Sequence, residues 1–75
     1  MRRFFFDLLI SNVVMLDLDG MIHEHIEATV AAADSMARHL FVWRMDLRDC
    51  DARVCVRDEQ GREIYRTAVR SETAE

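Results

Sequence analysis

The sequence predicts an α+β protein of ββαββ order: a four-stranded antiparallel sheet with one helix packed on one face. Three observations carry that expectation. The chain opens on alternating strand formers, "RFFFDLLI". Its middle third changes to a helical period. Near the end, "ARVCVRDEQGREIYRTAV" reads as two strands around a tight turn.

In "RFFFDLLI", Phe4, Phe6, Leu8 and Ile10 fall on one side of a strand, and Arg3, Phe5, Asp7 and Leu9 on the other. The charges mark the second set as outward. Ser11-Asn12 is a turn signal, "VVMLD" a partner strand, and "DLDG" the turn that ends it. From about Glu24 the apolar residues Ile26, Val30, Ala33, Ala37 and Leu40 recur at helical spacing, flanked by Thr29, Met36, Phe41 and Trp43. They span an arc of roughly 160°, enough to cover a sheet. Ala33 and Ala37 at its centre permit close approach of the helix axis.

The polar "MDLRDCD" leads into the second hairpin. In "DEQG", Asp58 suits the first turn position and Gly61 a left-handed one, giving a type I turn with a bulge. Pairing Asp58 with Arg62 puts Val54, Val56, Ile64 and Ala68 on one face. Arg53, Cys55, Arg57, Glu63, Tyr65 and Thr67 then share the other, and Arg66 must snorkel from an inward position.

Residues 1–70 are expected to form a single domain, and the polar, aperiodic 71–75 a disordered tail. With 75 residues there is room for one modest core. The charge is −4 and all ten basic residues are Arg, so general attraction to nucleic acid or anionic lipid is weak. Cys50 and Cys55, an odd spacing apart, would point to opposite faces of a strand and suit free thiols in the cytoplasm. The arginines and apolar residues at the N-terminus mimic an export signal, but Asp7 interrupts the apolar region and no stretch approaches a membrane span.

"RRFFF" at the start, "DLDG" before the helix, alanines at 33 and 37, and "VRDEQGREI" near the end resemble a family of short alphaproteobacterial proteins catalogued as a domain of unknown function. The likeness spans nearly the whole chain. It implies the ββαββ fold and carries no activity. His25 stands where that family tends to place a helix-capping Asp. Thr29 and Asp34 interrupt positions that are usually Ala and apolar.

The motifs with chemical promise dissolve on inspection. "LDLDG" looks like the opening of haloacid-dehalogenase phosphatases, in which Asp17 would attack phosphorus and Asp19 serve as acid and base. Met21 replaces the expected Thr, no Lys exists to offset phosphate charge, and the parallel sheet those enzymes need does not fit in 75 residues. Asp17, Asp19 and Gly20 are read as a tight turn. As a calcium loop the stretch would place Met15 and Ile26 where carboxylates are required. In "HEHIE", His23 and His25 lack a second ligand pair, and Glu24 and Glu27 suit a helix start. Asp46, Asp49 and Asp51 read as a solvated loop, and Cys50 has no assignable base. No catalysis, cofactor or metal is expected.

What remains is the outward sheet face. Arg3, Phe5, Arg53, Arg57 and Tyr65 on it would suit single-stranded nucleic acid, whose bases stack on aromatics. Asp7, Glu63 and the net charge disfavour that reading. Residues 13–16, "VVML", are apolar on both faces in either register, while one helix covers one side only. With Phe5, Leu9, Cys55 and Tyr65 they would form a patch best buried against a second copy, or against another protein. The expectation is a cytoplasmic, homodimeric binding or regulatory module without a membrane partner. A nucleic-acid-binding module is the alternative.

Overall fold

A computed structural model of the chain describes residues 1–47 and 50–69; the expected tail at 71–75 and the Arg48-Asp49 stretch lie outside them. The elements are β1 (Arg2–Ile10), β2 (Val13–Met15), β3 (Met21–His23), α1 (Ile26–Trp43), a 3₁₀ turn (Met45–Leu47), β4 (Ala52–Arg57) and β5 (Glu63–Ala68). All neighbouring strands are antiparallel. The sheet order is β2-β1-β4-β5, with β3 beside the other end of β1.

Among the described residues the sheet therefore has five strands where four were expected. Val13–Met15 pairs with the end of β1 (Leu8 opposite Met15), and Met21–His23 with its start (Phe4 opposite Met21). Phe4 and Leu8 are four positions apart but Met15 and Met21 are six apart, so the edge chain must leave the sheet between them. "LDLDG" is that excursion. Read as the end of a strand, it is instead an interruption after which the strand resumes, and "MIH" has too few residues to announce itself by alternation.

β1 alternates as expected: Phe4 and Phe6 are buried in the core, whereas Phe5 is half-buried on the far side. Val54 and Val56 join the core from β4, and Ala33, Ala37 and Thr29 close it from α1. The alanines let α1 settle onto β4 and β5. The helix begins without a side-chain cap at His25, where an Asp or Ser would supply one. Ile26 and Trp43, placed on the inner arc by spacing, are 38% and 76% exposed. They are the first and last residues of α1, where the helix overhangs its cover.

The second hairpin forms as "DEQG" demands. Asp58 N–H donates to the Arg62 carbonyl at 2.9 Å, Gly61 N–H donates to the Asp58 carbonyl at 3.0 Å, and Gly61 has φ +84°. One further irregularity reverses the expected faces. Arg57 lies opposite Glu63, but Val56 lies opposite Tyr65, leaving Ile64 as the extra residue of a bulge. Tyr65 and Thr67 thus face the helix, and Arg66 faces out opposite Cys55. This corrects the assignment of Tyr65 and Thr67 outward and of Ile64 and Ala68 inward, and it removes the need for Arg66 to snorkel. The physical gain is plain: the Tyr65 ring packs on the core while its hydroxyl donates to Asp34 of α1 at 2.8 Å.

Candidate association surface

On the outer sheet face, Asp7 is only 4% exposed although no helix covers it. Its carboxylate accepts two bonds from the Arg57 guanidinium, at 2.5 and 3.1 Å, and one from the Asp17 N–H at 3.0 Å. Arg57 also donates to the Asp17 carbonyl at 3.5 Å and lies over the Phe5 ring, 4.9 Å from its centre. The excursion 16–20 is therefore tied down onto the outer face.

Asp17 holds the turn from within. Its carboxylate accepts the N–H groups of Phe6, Asp19 and Gly20, each at 3.1 Å. The Phe6 bond replaces the ladder partner that β1 loses where the edge strand departs. Burial pushes the Asp17 pKa up, but the Phe6, Gly20 and Asp19 amides and the nearby Arg57 charge outweigh it, and the net shift is downward. Arg3 closes the far side by donating to the Asp19 carbonyl at 2.6 Å. Gly20 has φ +74°, and a Cβ there would lie 2.9 Å from both Arg3 Cγ and the Phe4 carbonyl oxygen. "DLDG" thus forms a tight turn in which the Asp17 carboxylate accepts three backbone amides.

The structure separates the residues expected to share the outer face. Phe5, Leu9 and Cys55 lie on it, and Tyr65 does not. Cys55 is 3% exposed between Asp7 and Arg66, and burial pushes its thiol pKa up. Among the candidate nucleic-acid contacts, Arg57 is engaged with Asp7 and Arg53 sits 3.4 Å from Asp51, while Phe5 lies beneath Arg57. His23 packs near Phe4 and Phe6 in the core, away from the exposed His25. Among the described residues no group of three or more side chains is placed to hold a metal ion.

The apolar surface lies along the β2–β3 edge instead. Val13, Val14, Met15, Leu16, Leu18, Met21 and Ile22 each leave about half or more of their surface open, from 49% to 84%. Val14, opposite Leu9, lies on the outer side, and Val13 and Met15, opposite Ile10 and Leu8, on the helix side. Both sides are exposed because α1 packs chiefly on β4 and β5, away from β2. "VVML" announced this surface; Leu18, Met21 and Ile22 were missed because the turn and the helix start absorbed them. A second patch lies at the end of α1, where Val42, Trp43 and Met45 are exposed beside a shallow groove formed with Ser35, Arg38 and His39.

These features define a small α+β module with an apolar sheet edge, built on a clasped Asp-Leu-Asp-Gly turn. The chain belongs to a family described as a domain of unknown function, DUF6894, whose profile matches residues 3–70. No curated protein and no solved structure matches it. No described helix is long and apolar enough to cross a membrane.

Proposed function

We propose that this protein is a non-catalytic, self-associating binding or regulatory module of the bacterial cytoplasm, working as a homodimer. The observation that carries the reading is the run of open apolar side chains from Val13 to Ile22. A monomer of this size rarely leaves so much contiguous apolar surface in water. Two of the polar groups that drew attention as chemistry are engaged elsewhere: Asp17 with three backbone amides, and Arg57 with Asp7. Two free thiols, one of them buried, fit a reducing compartment.

The test is the molar mass in solution with reductant present, by light scattering coupled to size exclusion. The expected value is twice the 8.8 kDa of one chain. A single-chain mass up to several hundred micromolar rejects the proposal.

A further inference from the structure

We infer that two copies join along the β2–β3 edge, antiparallel, about a two-fold axis normal to the sheet, so that two five-stranded sheets become one. The inference rests on the proposed self-association and names the surface that performs it.

The two edges of the sheet differ in a way that points to this one. The β5 edge carries Glu63 and Arg66, paired to each other at 2.8 Å, and charges of this kind keep foreign strands away. β2 and β3 carry no carboxylate or guanidinium, and Asp17 between them is turned inward onto β1, leaving Asp19 as the exposed charge of the intervening excursion. The paired strands of one edge are guarded by charge and those of the other are not.

The backbone on the bare edge is ready to pair. Phe6 directs its N–H toward this edge, so by alternation Leu8 and Ile10 do the same and engage Met15 and Val13. Val14 therefore directs its N–H and C=O away from β1, and Ile22 on β3 does likewise. A two-fold axis brings such an edge against itself in antiparallel sense, so one copy supplies every group the other needs.

The apolar residues of 13–22 leave roughly 700 Å² open per copy, so a pair buries at most about 1,400 Å², against the ~1,200–2,000 Å² of specific interfaces. The patch at the end of α1 is smaller and interleaved with Arg38 and His39.

The experiment places charge on the edge. The double variant V14K/I22K changes two half-exposed side chains, and its fold is checked by far-UV circular dichroism. The expected mass falls from two chains to one at equal concentration, with association weakened at least a hundredfold. The control V42K/W43K keeps the wild-type mass. As a second readout on the unmodified chain, the Val14 and Ile22 amides exchange slowly with deuterium when concentrated and quickly on dilution. A dimer that survives V14K/I22K, or one that dissociates in V42K/W43K instead, overturns this inference and leaves self-association standing. A wild-type monomer overturns both.

Discussion

Asp7 and Arg57, fifty residues apart in the chain, meet on the outer face of the sheet in a two-pronged ion pair at 2.5 and 3.1 Å. Neighbouring strands bring them together, with Asp7 opposite Cys55 and Phe5 opposite Arg57, so the pair runs diagonally across the ladder. Because Asp17 donates its N–H to the same carboxylate, the pair also anchors the turn that interrupts the edge strand.

Removing Arg57 leaves the Asp7 carboxylate buried with one remaining amide donor. R57A is expected to lower stability by about 2–3 kcal/mol, and R57K to recover only part of it, because an ammonium cannot match both oxygens. Urea denaturation followed by circular dichroism measures this. In a double-mutant cycle, D7N/R57A should cost clearly less than the sum of its single changes. Additive losses would show that the pair is not coupled.

The turn carboxylate has its own signature. D17A strips acceptors from three amides and is expected to cost about 2 kcal/mol, with D17N in between. Since the folded chain holds the Asp17 pKa below its ordinary value, this carboxylate adds stability above that value. The contribution is lost as pH falls through the lowered folded pKa. Asp58 behaves alike, its pKa lowered by the Arg62 and Gln60 amides. Stability should therefore drop below about pH 4, and D17N should flatten that drop. An unchanged acid limb would refute the assignment.

The glycines are not equivalent. Both Gly20 and Gly61 have positive φ, but a Cβ on Gly20 meets backbone and ring atoms whereas one on Gly61 meets open space. G61A should cost about 1 kcal/mol of backbone strain, and G20A at least twice that, because the β1 backbone must shift. Thermal melts of the two variants compare them directly. Equal losses would contradict the packing of Gly20 against β1.

The bulge in β5 predicts an asymmetry between adjacent residues. Y65F loses the bond to Asp34 and is expected to cost about 1 kcal/mol. I64T, at a 39% exposed site, should cost about half as much. The reverse order would restore the register in which Ile64 points inward.

Two departures from the family pattern give stabilising changes. H25D supplies the side-chain cap that α1 lacks and should add about 1 kcal/mol. T29V removes a fully buried hydroxyl that has no partner among the described residues and should also add about 1 kcal/mol. A loss from T29V would mean that the hydroxyl is satisfied, for instance by water. The third departure, Asp34, finds its reason in Tyr65.

How much of this was legible in the chain depends on how far each signal reaches. Alternation in "RFFFDLLI" separated Phe4 and Phe6 from Phe5, the helical spacing of Ala33 and Ala37 found the buried stripe, and "DEQG" specified its turn. Each is a local preference that sequence spacing expresses directly. The family resemblance, carried by the same turns and alanines, was matched over residues 3–70.

What only the tertiary structure decided was pairing. Whether "MIH" is strand or turn depends on the open start of β1 beside it, and which way Tyr65 points depends on one inserted residue and on Asp34 across the core. That Asp7 is buried depends on Arg57 and Asp17, both remote in sequence. The same holds for the apolar surface, which moved from the sheet face to its edge once the turn folded over the face. Side-chain period is set within a strand, but register and cover are set between elements, and a shift of one residue exchanges the two faces.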